Sequence, residues 1–129
     1  MKKIIITTCA ILMMSVTANA CGGITIKGNS GADYCLSKQA MNWYSAYAWC
    51  KDQGMELIDL GSVCKTNKSD CLELMLSSDE QNNIKENGVT VDWVWTNMSS
   101  SAPRVYYVHL ALGDISDNPR NHQHYALCY

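Results

Sequence analysis

"WYSAYAWCKDQGMELIDL", Trp43 to Leu60, changes its period halfway along. Ala40, Trp43, Tyr47 and Cys50 recur at the spacing of one helical face. Gly54 then interrupts, and a short aliphatic run from Met55 to Leu60 follows. The pattern predicts a helix with Ser37 as N-cap, Gly54 in the left-handed position past its end, and a buried extended segment beyond. A cysteine on the buried face of that helix requires a partner elsewhere in the chain.

The cysteines set the compartment. Of the seven, Cys9 lies in an N-terminal stretch that reads as a secretory leader. Lys2 and Lys3 precede an apolar run from Ile4 to Val16, and Ala18-Asn19-Ala20 is a small-x-small cleavage site. The run is too short to span a bilayer, and no later segment is long or apolar enough to do so. Residues 1–20 are therefore expected to be a signal peptide and residues 21–129 a single domain with one modest core. Six cysteines remain: Cys21, Cys35, Cys50, Cys64, Cys71 and Cys128. An even number in a small exported chain implies a disulfide framework, hence a secreted or periplasmic protein. Parity leaves the pairing open. Close Cys-x-x-Cys pairs are missing, which argues against zinc. Lipidation of Cys21 is the minor alternative; it would leave an odd thiol, and Ala18 stands where such sites usually carry leucine.

Charge narrows the partners. Without Lys2 and Lys3, 8 basic residues face 12 acidic ones, a formal net charge of −4. With no basic stripe, nucleic acid is not an expected partner, nor is membrane insertion.

Along the chain, "CGGITIKGNSGADYC" reads as a hairpin whose ends carry Cys21 and Cys35. "CKTNKSDC" is a short polar loop that a local bridge would pin. "SDEQNNIKENG" opens with a capping box, Ser78 with Gln81, and closes at Gly88 as a second, shorter helix. From Val89 the period becomes two: "VTVDWVWT" and "RVYYVHLALGDI" predict strands, with Gly113 and Asp114 as a turn. "SDNPRNHQ" reads as a polar loop, and "HYALCY" as a closing strand. Helices first and strands later make an α+β domain.

At this point the residues resemble a known family. Trp43, Ala46, Cys50, Gly54, Leu57, Ile58 and Leu60 match the first-helix signature of C-type lectin-like domains. "SDEQNNI" resembles their second helix, "DWVWT" their central strand (with Trp95 in place of a glycine), and "YALCY" their last strand. The resemblance implies a C-type lectin-like fold with two helices and a small antiparallel sheet. It also implies that Cys50 bonds Cys128 and that Cys21 bonds Cys35, leaving Cys64 and Cys71 to each other. The calcium motifs of the sugar-binding members are missing: the two prolines, Pro103 and Pro119, stand in "APR" and "NPR", and the span from Asn97 to Arg104 is too short for the long loop. The second half is similar to C-terminal domains of collagen-like bacterial adhesins and to variable proteins of diversity-generating retroelements, which hold ligands on their strands and loops.

Candidate chemistry is sparse. His122 and His124 in "NHQH" read as solvated rather than as a metal pair, because a site needs more ligands. No nucleophile has a positioned base, and Asp79 and Glu80 suit a helix start. Trp43 and one of Trp93 or Trp95 are expected in the core, with Trp49 off the buried helix face. The expected function is therefore non-catalytic binding of a glycan or a cell-surface protein, with neither cofactor nor metal. A structural or assembly subunit of a bacterial surface filament is the alternative, and an oxygenase of the formylglycine-generating kind ranks last. The binding face is expected at Asn97, Arg104, Tyr107, His109, Asp117, Asn118, Arg120, Asn121 and His122. Alternation in "RVYYVHLAL" sends Tyr106, Val108, Leu110 and Leu112 to the core and leaves Tyr107 and His109 outward. On that reading, removing Tyr107 and Arg120 together abolishes capture without touching the fold.

Overall fold

The computed structural model describes residues 21–64, 71–90 and 92–129. The expected leader, most of the polar loop between Cys64 and Cys71, and position 91 lie outside the described residues. The strands are β1 (Ile24–Lys27), β2 (Asp33–Met41), β3 (Trp93–Ser101), β4 (Arg104–His109), β5 (Ile115–Pro119) and β6 (His124–Cys128). The helices are α1 (Trp43–Asp52), the one-turn α2 (Leu60–Val63) and α3 (Ser78–Glu86), with a 3-10 turn at Leu72–Leu74. The strands form one sheet in the order β1-β2-β6-β3-β4-β5. The domain is α+β, as expected. The sheet is mixed rather than antiparallel, because β3 runs parallel to β6 while the other neighbours are antiparallel.

The first helix starts later than the apolar spacing predicts. Residues 37–41 belong to β2, and Asn42 is the N-cap, its side chain accepting from the Ser45 N–H at 2.8 Å. Ala40 thus pairs with Tyr125 on β6 instead of lying on the helix. Ser37 has another task. The β2–β6 register shifts between Leu36 and Ala40, and the buried Ser37 hydroxyl accepts from the Ala126 N–H at 2.9 Å within that gap. It satisfies a ladder donor that the irregularity would otherwise strand.

Both longer helices end in the same way. Gly54 and Gly88 take φ of +74° and +83°. Met55 N–H reaches back to Cys50 O and Gly54 N–H to Lys51 O, and Val89 and Gly88 repeat this on Ile84 and Lys85. These are paired bonds that close a helix through a left-handed residue, where a Cβ is disfavoured. At the start of α3 the cap is Ser77, which accepts from Glu80 N–H, so the expected Ser78–Gln81 box is shifted by one residue. The Glu80 carboxylate turns instead to the Lys27 N–H on β1.

The run after Gly54 is extended but is not a full strand. Leu57 forms an isolated bridge with Cys128, Ile58 N–H donates to Leu127 O, and Leu60 already begins α2. Leu57 and Ile58 are buried on opposite sides of the sheet, which has a core on each face. One core gathers Ile26, Leu36, Ile84, Val94, Val108 and Leu127 beneath α3. The other gathers Ala46, Cys50, Leu57, Trp95, Val105 and Cys128 beneath α1. The Cys50–Cys128 disulfide lies in the second core and ties α1 to the closing strand; Cys21–Cys35 and Cys64–Cys71 complete the set. Among the described residues no helix is long and apolar enough to cross a membrane.

Candidate functional site

The strand register decides what surrounds Tyr107. Trp93 stands opposite His109, and Trp95 opposite Tyr107, so these four share the α1 side of the sheet. His124, at the start of β6, joins them. Tyr107 lies flat on the His124 ring, with centroids 4.2 Å apart and planes at 12°. Trp93 meets Tyr107 at 4.6 Å and His109 at 4.8 Å, both edge to face, and Trp95 meets His124 at 4.7 Å. Trp95 is fully buried and donates its indole N–H to Met41 O, whereas Trp93, Tyr107, His109 and His124 are half-buried. The result is a continuous aromatic strip with a buried anchor and a partly open outer part.

This corrects the expected division of β4. Val108 and Leu110 are buried, but Leu112 is 58% exposed, because the strand ends at His109 and the chain turns before β5. Tyr107 and His109 do not stand on an open solvated face. His109 Nδ1 accepts from the Ala111 and Leu112 N–H groups at 3.1 and 3.2 Å, so the imidazole caps the turn and its hydrogen sits on Nε2. His124 Nε2 lies 2.9 Å from Asn118 Nδ2 and accepts from it, which places the His124 hydrogen on Nδ1. Burial pushes the His124 pKa down to about 4; the Asp92 carboxylate opposes the shift and His122 adds to it. The imidazole is neutral at pH 7.

The segment expected as a polar loop is partly strand. Ser116 to Pro119 belong to β5, which pairs with β4 through Tyr106–Asp117 and Val105–Asn118. That register separates the candidates: Asn118 shares the face of Tyr107, and Asp117 shares the opposite face with Arg104 and Tyr106. Arg104 Nη2 donates to Asp117 Oδ1 at 2.9 Å and to Asp117 O at 2.8 Å, and Ser100 Oγ donates to Asp117 Oδ2 at 2.5 Å. The bonds from Arg104 and Ser100 hold the Asp117 carboxyl below its usual range. Arg120 is also engaged. Its guanidinium lies 5.1 Å over the Trp43 ring and donates to Ser99 Oγ and Ala102 O. Trp43 in turn donates its indole N–H to Thr96 O. Both guanidinium forks thus serve the fold.

Asn97, Asn121 and His122 are exposed, with Asn97 held through its backbone N–H to Ile58 O. The structure therefore brings Tyr107, His109 and Asn118 together, pairs Arg104 with Asp117 on the other face, and leaves the remaining positions peripheral. Trp93, His124 and Asp92 complete the strip and were not among the expected site residues. The readable signal was aromatic alternation on two successive strands, Trp93-x-Trp95 and Tyr107-x-His109. Trp49 is half-buried and packs against the core under α1.

A cleft of about 610 Å³ lies at the opposite edge of the sheet, lined by Asn29, Tyr34, Val63, Leu72, Glu73 and Tyr129 among others. Its polar groups are turned to holding the hairpin tip. Glu73 accepts from Ser30 N–H, Ser30 Oγ and the Tyr34 hydroxyl, and Asn29 Nδ2 donates to Leu72 O and Met75 O. Burial and the Glu73 carboxylate both push the Tyr34 pKa up. The cleft reads as a locked joint between β1–β2 and the 3-10 turn. Among the described residues no cluster of three or more histidines, cysteines or acids is placed to hold a metal. The chain matches no protein-family model and no curated protein at a significant level.

Proposed function

We propose that the chain is an exported, non-catalytic binding module with a compact C-type lectin-like fold, which recognises a glycan or a protein on a cell surface without calcium. The observation that carries this reading is the aromatic strip. Half-buried rings stand side by side on the sheet, flanked by an amide and by two imidazoles whose ring nitrogens are fixed by hydrogen bonds. A preorganised surface of this kind recognises a ligand at little ordering cost. Three disulfides support an oxidising compartment. The bond between the first helix and the closing strand matches the pairing that the family resemblance implies.

The edges of the sheet favour a binding module over a filament subunit that shares strands. On β1, Lys27 N–H is taken by Glu80 and Thr25 O by Asn83 of α3. On β5, Asp117 O is taken by Arg104, and Pro119 has no N–H to offer. Edges blocked in this way resist strand addition.

The test is a glycan and cell-surface-protein array probed with and without EDTA. Capture that EDTA leaves unchanged is expected. Capture that requires calcium, or self-association in place of capture, would overturn the reading.

A further inference from the structure

We propose that the strip takes an uncharged pyranose glycan, with Trp93 as its main platform and Asp92, His109 and Asn118 as hydroxyl partners. The inference rests on the strip being the ligand face and adds the class of ligand.

A pyranose offers a patch of polarised C–H bonds on one face and hydroxyls, both donors and acceptors, around its rim. The first suits an aromatic ring, whose π-face is electron-rich. Trp93 stands at the centre of the strip, between Tyr107 and His109, and is held by both at under 5 Å. The second needs neutral donors and acceptors near the rings. His109 Nε2–H is a donor, because Nδ1 is occupied by the turn. Asn118 spends amide hydrogen on His124 and keeps its carbonyl oxygen as an acceptor. Asp92, which accepts from Trp93 N–H through Oδ1, adds a carboxylate acceptor at the rim.

Charge decides between neutral and anionic glycans. A sulfated or carboxylated sugar calls for guanidinium forks or ammonium groups. Arg104 is paired with Asp117 on the other face, and Arg120 is clasped over Trp43 with its donors on Ser99 and Ala102. His124 is neutral, and the Asp92 carboxylate lies next to Trp93, accepting from its backbone N–H. Those engagements favour an uncharged sugar over an acidic one.

The experiment titrates the oxidised protein with neutral oligosaccharides (mannohexaose, cellohexaose and chitohexaose) and with anionic ones (heparin and hyaluronan hexasaccharides, sialyllactose). At least one neutral sugar is expected to bind at least tenfold more tightly than every anionic one. Trp93→Ala should weaken it at least tenfold. Ser116→Arg should do the same from an exposed position opposite Tyr107, where the fold is not at risk. Arg104→Ala should leave affinity unchanged. Preference for heparin or hyaluronan, no binding of any neutral sugar, or neutral binding that survives Ser116→Arg would overturn the proposal. Capture of an array protein that Ser116→Arg abolishes would overturn the glycan assignment while sustaining the binding face; no capture of either class would overturn both.

Discussion

The Tyr107 phenol ring lies parallel to the His124 imidazole at 4.2 Å, and Asn118 donates to the far nitrogen of that imidazole. A histidine stacked on one side and accepting on another is held in its neutral form. Charging it would remove an acceptor and place a cation among rings that also pack on the buried Trp95.

Stability should consequently fall with acid in a definite window. His124 has a folded pKa of about 4 against an ordinary value of 6.5, so between these values the unfolded chain binds the extra proton. Stability is full above pH 6.5, declines as pH drops through the window, and has lost the whole contribution below about pH 4. Allowing for partial exposure, the loss is on the order of 1–2 kcal/mol. Asp117 acts lower: its folded pKa lies below 3.8, and its contribution disappears only as pH falls through that lowered value. Thermal midpoints between pH 4 and 6.5 should slope downward in the native protein and flatten in His124→Phe. An unchanged slope in that variant would assign the effect to another group.

The disulfides should contribute unequally. Cys50–Cys128 joins residues 78 apart in sequence, and Cys64–Cys71 residues 7 apart. Cross-linking a longer loop removes more entropy from the unfolded chain. Replacing Cys50 and Cys128 by serine should cost roughly 2–5 kcal/mol, and replacing Cys64 and Cys71 distinctly less. Denaturant melts of the two variants check the order; equal losses would contradict it.

Opening an edge should make the protein associate. Glu80→Ala with Asn83→Ala frees the Lys27 N–H and the Thr25 carbonyl on β1. Unpaired strand edges recruit other strands. Sedimentation should reveal concentration-dependent association in this variant and a single species in the native protein.

Much of the architecture was legible because it rests on local chemistry. Gly54 and Gly88 end their helices where the sequence places them, and alternation marks β3, β4 and β6. The start of α1 was misplaced because Ser37 resembles an N-cap, while its hydroxyl is consumed by a bulge between β2 and β6, strands distant in sequence. "SDNP" looked like a loop because its composition is that of turns, yet an edge strand tolerates Pro119. The site suffered most. Alternation separates the two sides of β4, but does not reveal that rings from β3 and β6 half-bury the side that carries Tyr107 and His109. Tyr107 and Arg120 therefore pack against neighbours, and their joint removal is expected to destabilise the fold as well as disturb binding.

The most direct measurement is amide and indole chemical-shift mapping of the oxidised, isotope-labelled protein during titration with the ligand captured on the array. The largest shifts are expected at the Trp93 indole N–H and at the backbone of Tyr107, His109, Ser116 and Asn118, with Tyr34, Leu72 and Tyr129 unmoved. Shifts centred on Tyr34, Leu72 and Tyr129 instead would move recognition to the cleft at the other edge of the sheet and contradict the strip as the binding face.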